Sequence, residues 1–220
     1  MRPYYEDADA GITIYNARCE DVLPSIDPAT VGLLLTDPPY GINAGSSMTK
    51  QQETVVSLGA IAGDDAEYDP ADLLTFGRCI IWGANNFSSR LPDEGNWIVW
   101  DKVTRNGLNL RIAEAELAWT NVLGRTMVYR HMWSGAFRDS ERGYSVHPTQ
   151  KPVSLMTWII DRWTKPGDLV LDPYMGSGPV AQACHELGRR YIGIELVEDY
   201  CRIAVSRLSQ QTLDLTGGAA

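Results

Sequence analysis

The chain has 220 residues, 44% of them hydrophobic and 21% charged, with a net charge of −9 at neutral pH. Such a composition belongs to a globular protein with a sizeable core, and no stretch approaches the roughly 18 apolar residues of a membrane span. Cys19, Cys79, Cys184 and Cys201 lie far apart, with no C-x-x-C and no histidine pairing, which argues against a metal site or disulfide framework and for reduced, buried thiols.

Residues 1–10 are acidic and lack an apolar signal core, so a cytoplasmic location is expected. Apolar periodicity predicts strands at 12–15, 32–36, 79–82, 97–100, 116–119, 126–130, 169–171 and 191–194. Residues 41–63 keep no period and are expected to form a long, mobile loop, of the kind that serves as a lid. Helices are predicted over 152–163, with proline in the first turn, over 179–187, ended by Gly188 as a left-handed cap, and over 197–208. A frayed tail follows. This alternation predicts an α/β doubly wound, mostly parallel sheet with helices on both faces.

Charge is unevenly spread. Residues 1–99 carry a net −10, residues 100–151 a net +3, and residues 152–220 a net −2. The positive stretch mixes Lys102, Arg105, Arg111, Arg125, Arg130, Arg138 and Arg142 with Trp119, Tyr129, His131, Trp133, Phe137 and Tyr144. Arginines interleaved with aromatics suit phosphate contact and base stacking, though a solvated, charge-mixed surface reads equally well from composition alone.

Three motifs carry chemistry. Asp37-Pro38-Pro39-Tyr40 closes the run Val31-Gly32-Leu33-Leu34-Leu35-Thr36, which reads as a strand buried on both faces. The prolines end the strand and remove two backbone donors. What remains is a carboxylate, bare carbonyls and an aromatic ring, a set that suits a planar amino group: two acceptors for its N–H bonds, and a ring to stack on the heterocycle. The second motif, Leu169-Val170-Leu171-Asp172-Pro173-Tyr174-Met175-Gly176-Ser177-Gly178, puts a glycine-rich turn between a buried strand and a helix start, where backbone can approach a ligand. In the third, Glu195 ends the strand 17 residues after Gly178, placed as an acid that grips ribose hydroxyls. The same glycines satisfy a loose dinucleotide fingerprint, but hydride-transfer folds leave Asp37–Tyr40 unexplained. A P-loop is excluded because no Lys-Ser/Thr follows the glycines.

Together with His147-Pro148-Thr149-Gln150-Lys151-Pro152, these motifs resemble the amino-group DNA methyltransferases. Their order, catalytic before cofactor, is similar to the permuted β class, and the compact size and the 114–120 context to methylases carried by phages and prophages. The resemblance implies S-adenosylmethionine as cofactor, no metal, and double-stranded DNA with a flipped base as substrate. It assigns Asp37, Pro38, Pro39 and Tyr40 to catalysis, with Tyr40 stacking on the base. It assigns Asp172, Pro173, Tyr174, Gly176, Gly178, Glu195, Thr149 and Lys151 to the cofactor. Arg105, Arg111, Arg138 and Arg142 are the candidate DNA contacts. The expected organisation is a catalytic half (1–101), a small inserted recognition region (102–146), a cofactor half (147–210) and the tail (211–220). A homodimer is expected, because some 40 residues is little for reading a site of several base pairs. The sequence departs from the family at Pro179, where Thr is common, at Arg18, where an Asp often faces the adenine, and at Tyr174, where Phe is usual. The expected activity is methylation of adenine N6. Transfer to the cytosine amine, or a catalytically impaired DNA-binding relative, are the alternatives.

Overall fold

The computed structural model describes residues 1–41, 66–102, 113–122, 124–134, 137–140 and 150–216. Beyond Gly41, the loop expected over 41–63 lies outside them, as do Arg105, Arg111, Arg142, Tyr144, His147 and Thr149. In chain order the elements are β1 (Tyr5–Asp7), β2 (Ile12–Asn16), α1 (Cys19–Val22), β3 (Leu33–Thr36), β4 (Cys79–Trp82), β5 (Asn96–Asp101), β6 (Ala115–Thr120), β7 (Met127–Arg130), β8 (Trp133–Ser134) and β9 (Phe137–Arg138). There follow α2 (Val153–Trp163), β10 (Leu169–Asp172), α3 (Pro179–Glu186), β11 (Arg190–Glu195) and α4 (Glu198–Thr216). By their contacts these group into two units, Met1–Thr36 with Thr149–Ala220, and Asp37–Pro148.

In the first unit the strands run in the order β1, β2, β11, β10, β3, all parallel except the edge strand β1. Both β3 and β10 are buried along their whole length. A strand reading Leu-Leu-Leu-Thr or Leu-Val-Leu-Asp has no solvent face to offer, so it settles inside a parallel sheet covered on both sides. Each leucine so buried contributes about 1.5–3 kcal/mol. Helix α2 buries Val153, Leu155, Met156, Ile159 and Ile160, the stripe expected from its spacing. Pro152 is its N-cap, one position outside the predicted first turn. Gly188 adopts φ +66 just past α3, as the cap reading requires. Helix α4 continues to Thr216, eight residues past the expected end and through most of the tail expected to fray. The added stretch, Ser209 to Thr216, has Gln210, Gln211, Leu213 and Leu215, all good helix formers.

Arg189 pins the turn between α3 and β11 in a way the sequence did not reveal. It is 5% exposed, and its guanidinium donates to Oγ1 and O of Thr164 and to O of Leu187, with Asp161 at 3.5 Å.

The second unit has the strand order β4, β6, β5, β7, antiparallel except for β5 with β7, and a separate β8–β9 hairpin. The segment after Asp101 thus contributes β6 and β7 to the same sheet as β4 and β5. Its core holds Ile80, Ile81, Trp82, Phe87, Ile98 and Trp100. The Trp100 indole donates to O of His131 at 3.0 Å and meets Trp82 edge-on.

Candidate active site

Parallel strands end on the same edge of a sheet, and ligands bind at the carboxyl edge. In the first unit that edge carries Thr36, Asp172, Glu195 and Asn16, at the ends of β3, β10, β11 and β2. Asp172 is 2% exposed. Its Oδ1 accepts from Thr36 Oγ1 at 2.7 Å and from the Tyr174 amide at 3.3 Å. Glu195 is held differently: Oε2 accepts from the Gly176 amide at 2.9 Å and Oε1 from the Val197 amide at 2.7 Å. Burial pushes its carboxyl above the ordinary range, and the backbone donors of Val197, Gly176 and Leu196 pull it partly back. A carboxylate has about four lone-pair sites, so two amides fix its plane and leave capacity for a ligand's hydroxyls.

The glycines divide their roles. Gly176 takes φ +55, which lets its amide turn toward Glu195. Gly178 takes φ +81 as the N-cap of α3, with Pro179 at the first helical position, where the missing N–H costs nothing. A Cβ on Gly178 would lie 2.7 Å from Cβ of Ala204, so α4 as well as any ligand demands a glycine there. Between them, Ser177 is 2% exposed and its hydroxyl finds no partner among the described residues. An orphaned buried hydroxyl beside a helix start and an acid with spare acceptor capacity fit a polar, hydroxyl-bearing cofactor. The sequence reading passed over Ser177, although its place between two motif glycines marks it.

Of the residues near β2, Arg18 is exposed and pairs with Glu20 at 3.5 Å, whereas Cys19 is buried and its thiol donates to the Tyr174 hydroxyl at 3.2 Å. Pro173 is buried behind Asp172, and Lys151 is 4% exposed at the head of α2. Asn16 was also missed. Its amide donates to O of both Glu195 and Leu196, tying the end of β2 to the end of β11.

The second unit begins with the other motif. Asp37 and Tyr40 are half-buried and Pro38 is buried. The Tyr40 hydroxyl donates to Oδ1 of Asp37 at 2.5 Å. The Tyr40 ring lies against Gly83, which follows β4 with φ +67.

The positive stretch looks different in three dimensions from its composition. Trp119, His131 and Trp133 are buried, 3%, 8% and 9% exposed, so they build the unit's interior and offer no stacking surface. Lys102 is buried too, paired with Glu116 at 2.8 Å over the Trp100 ring. Arg125 and Arg130 are exposed, Arg130 with Asp101 at 3.6 Å. Arg138 is placed by its backbone alone, in β9 opposite Trp133. Among the described residues there is no cluster of His, Cys, Asp or Glu able to hold a metal, and no helix is long and apolar enough to cross a membrane.

Comparison with known proteins places the chain beside DNA methylases. Residues 123–206 match the family model N6_N4_Mtase, described as DNA methylase; the match covers Asp172–Glu195 and not Asp37–Tyr40. The chain is 28% identical to the type II methyltransferase M2.LlaDCHI of Lactococcus lactis subsp. cremoris, over 95% of this chain and 93% of that protein. A crystal structure of an M1.HpyAVI–SAM complex superposes with a TM-score of 0.56 at 24% identity, covering 89% of this chain and 99% of that one. PvuII DNA methyltransferase, described as cytosine-N4-specific, superposes with a TM-score of 0.62 at 17% identity, over 90% of this chain and 86% of that one. The chain has the α/β methyltransferase fold. Its residues 123–206 are similar to the N6/N4 DNA methylases, and nearly its whole length to a type II methyltransferase.

Proposed function

We propose that this protein is a site-specific DNA methyltransferase of the permuted β class, which methylates the exocyclic N6 amine of adenine in double-stranded DNA with S-adenosylmethionine as cofactor. One observation carries the reading: a carboxylate, Asp37, directly follows a buried strand and is itself followed by two residues without backbone donors and an aromatic ring. A nucleotide-binding protein without amine chemistry has no use for that set.

The cofactor would be held by Glu195 through its ribose hydroxyls, by the 172–178 loop including Ser177, and by Thr149 and Lys151 at its methionine end. When bound it supplies an electrophilic sulfonium methyl. The chain's own work is positioning and electrostatics. The adenine amine is a poor nucleophile, because its lone pair is delocalised into the ring. Asp37 and the carbonyl of Pro38 would accept its two N–H bonds and favour a pyramidal nitrogen with a localised lone pair, and Asp37 would take up the proton that the methylated amine sheds. Tyr40 stacks on the extruded base and offsets part of the few kcal/mol that unstacking costs. Residues 102–146 are the recognition region, with Arg105, Arg111, Arg138 and Arg142 its phosphate or base contacts. A DNA substrate in turn places the protein in the cytoplasm.

The same geometry serves the cytosine N4 amine, and the likeness to a cytosine-N4-specific enzyme keeps that second reading in play. Nucleoside mass spectrometry of unmethylated DNA, incubated with the protein and S-adenosylmethionine, separates them. N6-methyladenine is the expected product. N4-methylcytosine would transfer the assignment to the second reading, and the absence of any methylated base would overturn both.

A further inference from the structure

We propose that the Tyr40 hydroxyl and Gly83 form a positioning device for Asp37, a role for Tyr40 separate from stacking on the base. The proposal rests on the methyltransferase reading above and deepens it. The phenol O–H donates to Oδ1 of Asp37 at 2.5 Å, the short distance of a charge-assisted hydrogen bond. Such a bond fixes the plane of the carboxylate. A free Asp side chain turns about two bonds, so only part of its population faces a base at any moment.

Tyr40 is in turn held by the turn after β4. A Cβ on Gly83 would fall inside the tyrosine ring, at Cε1, Cζ and Cδ1, so the ring rests where only a glycine can stand. That seat is rigid. The Gly83 amide donates to O of Leu117 in β6 at 2.9 Å, and the Gly83 carbonyl accepts from both the amide and the side chain of Asn86 at 3.0 Å. Its φ of +67 is one that glycine adopts without strain. A tight turn thus seats the ring, the ring's hydroxyl orients the carboxylate, and the carboxylate accepts the amine. Stacking alone needs no hydroxyl, and a phenylalanine would serve it equally well.

The test is steady-state methyl transfer to unmethylated genomic DNA by wild type, Tyr40→Phe, Gly83→Ala and the double variant, with thermal midpoints measured alongside. Loss of one hydrogen bond to a charged group predicts that Tyr40→Phe lowers kcat about tenfold, with KM for DNA within about twofold. Gly83→Ala should lower kcat at least as much, and the double variant should fall little further, because both act through one contact. Wild-type kcat in Tyr40→Phe would overturn the proposal. So would a fall confined to KM, which would mark the hydroxyl as a DNA contact. Should Gly83→Ala fail to fold, the Tyr40→Phe result decides alone. A wild-type protein that methylates no DNA would count against the methyltransferase reading itself, an outcome distinct from either.

Discussion

The hydroxyl of Thr36 donates to Oδ1 of Asp172 at 2.7 Å, joining the last residue of β3 to the last residue of β10. The bond is fully buried, and the residue that follows Thr36 in the chain is Asp37. A single interaction therefore braces a buried acid at the last residue before Asp37 in the chain. Replacement of Thr36 by the isosteric valine leaves Asp172 short of a donor in a dry place. Urea unfolding should show a loss of about 1–3 kcal/mol, the cost of removing one hydrogen bond from a buried acid. Thr36→Ser, which keeps the hydroxyl, should recover most of it.

Glu195 has a pH signature. Its folded carboxyl titrates above the ordinary range because burial disfavours the carboxylate. The native state therefore holds a proton where the unfolded chain has lost it. The stability this brings is present below the unfolded pKa and is lost as pH rises through the folded one. On the proposed ribose role, which needs the ionised form as acceptor, S-adenosylmethionine affinity should fall as pH is lowered through that raised value, earlier than for an ordinary glutamate. Calorimetric titrations from about pH 8 down toward pH 4 would trace this. Glu195→Ala should weaken binding by about 1–3 kcal/mol at neutral pH and flatten the profile.

The thiols should be inert in the folded protein. All four cysteines are free and buried, and burial pushes Cys79 and Cys201 up to about 12 and raises Cys19 and Cys184 as well. Since the thiolate is the reactive form, a disulfide reagent at mildly alkaline pH should label no cysteine in the native state and four after denaturation. Fast native labelling of any one would place it at the surface.

DNA binding should be electrostatic despite the overall charge of −9. The recognition reading of 102–146 predicts affinity that weakens with salt, with a log–log slope of about −0.9 per phosphate neutralised. Substitution of Arg138 by alanine should reduce that slope by about one contact. Light scattering is expected to report a dimer sharing the recognition. Salt-independent binding by a monomer would remove both expectations.

Strands bounded by punctuation were legible in the sequence. β4 falls on its predicted residues 79–82, and β3, ended by Pro38-Pro39, and β10, ended by Asp172-Pro173, lie within one residue of prediction. The strand-end places of Asp172 and Glu195 were legible as well, since each closes an apolar run. What escaped depends on pairing in space. The edge strand Tyr5–Asp7 is short and half-exposed and forms only against β2. The hairpin of Trp133–Ser134 with Phe137–Arg138 is too short to carry a period. The burial of Trp119, His131 and Trp133 was not legible, because composition, which suited base stacking and a charge-mixed surface equally, cannot tell an inward ring from an outward one. Likewise the bond of the Tyr40 hydroxyl to Asp37 and the seat of its ring against Gly83 were not legible, since nothing in the sequence links residue 40 to residue 83.

On the proposed function, Asp37 accepts the amine while a separate set of residues holds the cofactor. The direct measurement pairs methyl transfer to DNA with S-adenosylmethionine binding in Asp37→Ala. Transfer is expected to be abolished while cofactor affinity stays within about twofold of wild type. An Asp37→Ala protein that methylates DNA at the wild-type rate would contradict it.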